Sequence, residues 1–116
     1  MIIINCQISI ESTLRRSKMD INKYIKVCGE SANAKGWKIT WETFPIYMAL
    51  TAHEVLDAVD KGWRNDNKEK AEVEIGDTFV RLFHICHDLN VDLERILKRI
   101  IKNNKKRQYH HGHVRL

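Results

Sequence analysis

The sequence predicts an all-α fold on three observations. Four segments carry apolar residues at steps of three and four, capping residues stand at the ends of those segments, and strand-like alternation is confined to the first few residues. The 116-residue chain is 43% hydrophobic and 30% charged, with five Gly and one Pro, which suits one compact domain. A helical chain this short buries only roughly two thirds of its unfolded surface. Its core is therefore expected to be completed by oligomerisation, as a dimer or a tetramer.

Residues 1–18 alternate weakly through Ile2, Ile4, Ile8 and Ile10 before turning basic, and read as a short extended arm outside the domain. The helical domain is expected over 19–105. Asp20 caps a first helix whose apolar positions Ile21, Tyr24, Ile25, Cys28 and Ala32 recur until Gly36, a C-terminal stop. Thr43 is the expected cap of a second helix, with Pro45 harmless in its first turn and an end near Lys61, before Gly62. Asp66 and Glu69 at capping-box spacing open a third helix running to about Leu89. Asn90 interrupts, and Asp92 caps a fourth helix with an apolar face of Leu93, Ile96, Leu97, Ile100 and Ile101. Residues 106–116 form a basic tail. At about 100° per residue the apolar side chains of the third helix cover roughly two thirds of its circumference, so that helix is expected to be central or to lie at a subunit interface.

Composition also excludes some classes. Cys6, Cys28 and Cys86 are odd in number, widely spaced and without a CxxC pair, which suggests reduced thiols in a cytoplasmic protein. No apolar run approaches the roughly 18 residues a membrane span needs, so no membrane partner is expected. The net charge of +5 is unevenly spread: from Arg95 to Leu116 eight Lys or Arg and three His stand with no acidic residue. Such an end meets something anionic, and charge alone does not choose between nucleic acid and the phosphates of a small ligand.

Two pairs of carboxylates bear on chemistry. Glu54 and Asp57 share one face of the second helix, with Lys61 a turn further on, and Glu74, Asp77, Arg81, His84 and Asp88 form one narrow stripe on the third. Each pattern is either an ordinary solvated face or half of a metal cradle. Two pairs on consecutive antiparallel helices can meet across the interface between them. Four converging carboxylates would repel unless cations neutralise them, and hard oxygen ligands suit Mg²⁺, or Mn²⁺. Ions held there can clamp phosphate oxygens and acidify an attacking water, with one free carboxylate as general base.

Glu54-x-x-Asp57 followed by Glu74-x-x-Asp77 resembles the metal motifs of the MazG-like all-α nucleotide pyrophosphohydrolases. The segments AKGW (34–37), HEVLDAVDKGWR (53–64), EIGDTFVRL (74–82) and LNVDLERIL (89–97) resemble family segments, and the ending NKKRQYHHGHVRL (104–116) resembles NKxRPYRHGxxRL. The likeness spans roughly residues 20–116. It implies a four-helix bundle and Mg²⁺-dependent hydrolysis of a nucleoside triphosphate between its α and β phosphates, in homo-oligomers whose site lies where subunits meet. Nucleotide-pool sanitation is the expected role. Carried onto this chain, Glu54, Asp57, Glu74 and Asp77 are the catalytic metal ligands, and Asn104, Lys105 and Arg107 contact phosphate or shape the site. Asn104 continues the stripe of Leu93, Leu97 and Ile100, so its amide either points inward or simply ends the helix. Lys35 and Trp37 stand where a base- or phosphate-binding loop can lie, although a Trp after a helix-ending Gly also serves as packing. Asp57 departs from the usual Glu, which shortens one ligand by a methylene, and Gln108 replaces the usual Pro.

Two rival readings are weaker. His84, His87, His110, His111 and His113 with Cys86 lack the ligand spacing of structural zinc. The basic end suggests a nucleic-acid-binding helical module, but Trp and Tyr are not interleaved as a stacking platform.

Overall fold

The computed structural model describes residues 18–107, and the arm at 1–17, Cys6 and the tail from Gln108 lie outside the described residues. Four α-helices and no strand occur among the described residues: α1 (Ile21–Ala34), α2 (Phe44–Asp57), α3 (Lys68–Asp88) and α4 (Leu93–Lys106). The all-α expectation is met. No described helix is long and apolar enough to cross a membrane.

Local chemistry sets most of the boundaries. Asp20 accepts from the Lys23 amide at 2.9 Å and starts α1. The helix ends in a Schellman motif: Gly36, at φ 90°, follows Lys35, and the Trp37 amide returns to the Ala32 carbonyl at 3.0 Å. Asn90, at φ 55°, closes α3 in the same way, with the Val91 amide on the Cys86 carbonyl at 2.9 Å. Asp92 accepts from the Arg95 amide and opens α4.

Two expected boundaries need correction. Thr43 stands at the N-cap of α2 as expected, but its side chain makes no capping bond, because its hydroxyl accepts from the Thr40 amide at 2.9 Å. Asp66 is not the cap of α3. It takes a left-handed conformation at φ 50°, and Asn67 caps instead, accepting from the Lys70 amide at 3.0 Å. The α geometry of the second helix stops at Asp57 rather than Lys61. A π turn over Ala58–Gly62 and a 3-10 turn over Trp63–Asn65 follow, and the Asn65 amide donates to the Asp60 and Lys61 carbonyls. Gly62 is required there by close approach, since a Cβ on it would sit 2.7 Å from the Ala71 Cβ and 2.8 Å from the Ala71 nitrogen.

α3 is the central element. α1 and α2 both pack on it, whereas α4 makes only a light contact with α1, including the Asn22 amide on Glu94 at 3.0 Å. The fully apolar core is small: Ile25 of α1, Ile39 of the α1–α2 connection and Ile85 of α3. Leu97, Ile100 and Ile101 of α4 are exposed.

The distribution of polarity on α3 is the reverse of a solvated stripe. Glu74, His84 and Asp88 are only 4%, 6% and 7% exposed, while Ile75, Phe79 and Val80 are each more than half exposed. The reading of the polar stripe as the solvent face therefore fails for Glu74, His84 and Asp88, which are buried, while Asp77 stays exposed.

Candidate carboxylate site and adjoining cleft

α2 and α3 run antiparallel, as the contacts Glu54 with Arg81 and Asp57 with the Glu74 end of α3 require. Three of the four expected ligands are thereby brought together. One carboxylate oxygen each from Glu54, Asp57 and Glu74 lies within 4.8 Å of the others, with Asp57 and Glu74 buried. Asp77 is not in this group. It is exposed, one turn beyond Glu74, and lines the adjoining cleft with Glu54.

Each clustered carboxylate carries a protein cation. Arg81 Nε donates to Glu54 Oε1 at 3.0 Å. Lys61 Nζ and His53 Nε2 each lie 3.4 Å from Asp57 Oδ2, and Lys70 Nζ lies 3.1 Å from Glu74 Oε1. The Lys70 ammonium holds the Glu74 carboxyl below the usual range although burial opposes this. Glu74 in turn raises Lys70.

The oxygens suit a hard divalent cation. Octahedral ligands at about 2.1 Å from Mg²⁺ stand about 3 Å apart when adjacent and about 4.2 Å when opposite, so a small side-chain rotation closes the present spacing onto one ion. Glu54, Asp57 and Glu74 would hold it.

A cleft of about 510 Å³ opens beside the cluster. It is lined by Glu54, Asp77, Arg81, Trp37, Tyr47, Lys35, Ser31 and His84, with apolar Val27, Cys28 and Val80. A smaller cleft of about 320 Å³ shares Trp37, Tyr47 and Arg81 with it. Lys35 and Trp37 are thus at the cleft as expected, placed by the Schellman turn that ends α1. Burial raises the Cys28 and Cys86 thiols, which keeps both in the unreactive protonated form.

The α1–α2 connection is pinned by Asp88, whose side chain is fully buried. It accepts from the Ile39 amide at 2.8 Å, Asn33 Nδ2 at 3.0 Å and His87 Nδ1 at 2.7 Å, and His84 Nε2 lies 2.8 Å away. Burial pushes this carboxyl up, but the hydrogen bonds from Ile39, His87 and Asn33 and the field of His84 outweigh it and hold it at about 2.

Asn104, Lys105 and Arg107 are not brought to the cluster or cleft by their own chain. All three are exposed at the end of α4, and the expected inward amide of Asn104 is not observed. Arg81, His84, Asp88 and Tyr47 were not singled out as functional from the sequence. The first three were legible as members of the α3 stripe, but nothing in the spacing said which side of that stripe would be covered. Among family models, curated proteins and solved structures, no match to the chain is found.

Proposed function

We propose that this chain is a Mg²⁺-dependent nucleoside triphosphate pyrophosphohydrolase of the MazG-like type, releasing pyrophosphate and a nucleoside monophosphate. The observation that carries the reading is the burial of Glu74 and Asp57 against Glu54, with the Glu54 carboxylate bordering a cleft also lined by Trp37 and Tyr47. A bound Mg²⁺ would supply positive charge against the phosphates and make a nearby water more acidic. Asp77, left outside the cluster and facing the cleft, is the carboxylate free to take the water's proton. Arg81, Lys61 and Lys70, now paired with the cluster, would be free to meet phosphate oxygens were a cation to neutralise those carboxylates. Trp37 and Tyr47 offer flat apolar surface to a base.

The reading includes a second copy. Ile75, Phe79 and Val80 of α3 and Leu97, Ile100 and Ile101 of α4 are exposed, apolar side chains that a second copy could cover. A homodimer or tetramer covering them can also deliver Asn104, Lys105 and Arg107 of one copy to the site of another.

Pyrophosphate release from a panel of canonical and modified nucleoside triphosphates with Mg²⁺ or Mn²⁺ tests the proposal, comparing the wild type with Glu74→Ala and Asp77→Ala. Release in the wild type and its loss in both folded variants are expected. No release from any triphosphate refutes the enzyme reading, and steeply salt-dependent DNA binding in its place would identify a nucleic-acid module.

A further inference from the structure

His84 lies seven positions after Asp77 on α3, about 10 Å along the axis at 1.5 Å per residue. It lines the same cleft but stands well away from the carboxylates. Its surroundings fix both its orientation and its proton. Nε2 hydrogen bonds to the Trp37 carbonyl at 3.1 Å and lies 2.8 Å from Asp88 Oδ2. A carbonyl and an ionised carboxylate can only accept, so Nε2 carries the hydrogen. The Tyr47 ring stands edge-on at 5.9 Å, and the Asp88 carboxylate is held in turn by the Ile39 amide. The ring cannot turn over without leaving both acceptors.

With Nε2 engaged, Nδ1 is the ring's one remaining hydrogen-bonding atom, and it has no partner among the described residues. In the Nε2–H tautomer it accepts. Lys35 and the Trp37 indole, which also border the cleft, only donate, while the Ser31 and Tyr47 hydroxyls do both. His84 adds an acceptor whose position the ring's two Nε2 contacts fix.

We propose that His84 is a ligand-contacting specificity residue: its Nδ1 accepts a hydrogen bond from a donor on the nucleoside part of the substrate, either a sugar hydroxyl or a base N–H. This rests on the nucleotide reading of the cleft, because the distance from Asp77 sets His84 opposite the nucleoside when the phosphates lie at the carboxylates. Asp88 acts through His84 as a positioning residue.

The test uses the full chain with Mg²⁺ and non-hydrolysable α,β-methylene deoxynucleoside triphosphates of the four bases, alongside their 2′,3′-dideoxy counterparts. Two-bond ¹H–¹⁵N spectra of the ligand-free protein are expected to show His84 protonated at Nε2 with a bare Nδ1. The opposite tautomer overturns the proposal. On nucleotide addition the Nδ1 resonance should move with the Trp37 indole signal, and loss of the shift with the dideoxy ligands assigns the sugar hydroxyl, whereas dependence on the base assigns a base N–H. Movement of Trp37 without His84 overturns the proposal and leaves nucleotide binding standing. If neither moves, the nucleotide reading of the cleft and the proposal fail together.

His84→Gln keeps an amide donor near Trp37 and Asp88 and removes the Nδ1 acceptor. It should lose about three- to tenfold in kcat/KM on substrates that carry the donor and nothing on those that lack it, the worth of one neutral hydrogen bond. An equal loss on both substrates means a merely structural role and overturns the proposal. Should the variant not fold, the wild-type spectra still decide.

Discussion

Replacing Asp88 with alanine removes one side chain that four neighbours share. The Ile39 amide, on a residue 1% exposed, loses its only acceptor, and a buried N–H without a partner costs about 1–3 kcal/mol. Asn33 Nδ2 and His87 Nδ1 lose theirs in a half-buried setting, and His84 loses a contact charge at 2.8 Å. The sum is about 3–5 kcal/mol, the range found when one partner of a buried polar network is deleted. For a domain of this size that lowers Tm by roughly 15–30 °C. Asp88→Asn keeps the shape and one acceptor but turns an NH₂ group toward donors, so it should lose about half as much. Urea unfolding followed by circular dichroism at one fixed protein concentration measures both, the fixed concentration being needed because association contributes to apparent stability. A loss below about 1 kcal/mol in Asp88→Ala would refute the view that this carboxylate pins the α1–α2 connection.

Other outcomes follow from the same structure. The Asp88 carboxyl falls from 3.8 unfolded to about 2 folded, so its contribution is complete above about pH 4 and disappears as pH falls through 2. The shift is worth at most about 2 kcal/mol, or about 1–2 kcal/mol after screening by solvent near the exposed Lys38, and an acid titration of stability in which Asp88→Asn loses this limb checks it. Gly62→Ala should destabilise by about 1–3 kcal/mol in a thermal melt, since its Cβ meets Ala71 backbone at 2.8 Å and backbone yields less readily than a side-chain end. Phe79→Glu should weaken the proposed self-association in sedimentation experiments, by about tenfold or more in dissociation constant, the loss estimated for an apolar interface contact. A wild type that is monomeric at micromolar concentration would remove the basis for that expectation.

The number of helices and most of their ends were legible in the sequence because they depend on local chemistry. Asp20 and Asp92 cap with their own side chains, and Gly36 and Asn90 supply the left-handed residue that closes a helix. Where a neighbour competes for the same group, sequence spacing misleads. Thr43 had a cap's identity but its hydroxyl went to Thr40, and Asp66 had capping-box spacing but Asn67 took the position. The π turn after Asp57 was not legible at all, since it answers to the contact of Gly62 with Ala71 of another helix. The carboxylates of the site were legible as pairs on helix faces. Their convergence to three, with Asp77 set apart, depends on the rotation of α2 against α3, which periodicity does not encode. For the same reason the spacing marked His84 and Asp88 as polar members of a stripe without showing that Asp88 would reach the connection through Ile39.

Burying charges and exposing aliphatic side chains on one helix both work against an isolated chain. Buried ion pairs such as Glu74 with Lys70 stabilise no more than well-packed apolar residues would, and the half-exposed Ile75, Phe79 and Val80 leave hydrophobic free energy unrealised. Neither feature is accounted for by stability of the monomer. The outward apolar face is accounted for by a covering surface, and the basic end of α4, with Asn104, Lys105 and Arg107 exposed, supplies cations that no anion of its own chain meets among the described residues. The second copy proposed above would answer both at once, because packing on the apolar face would exclude water from the neighbouring carboxylates and strengthen every charge interaction there. On that proposal the inward charges and the outward aliphatic residues are two sides of one requirement: a phosphate-handling site that a neighbouring chain closes to water.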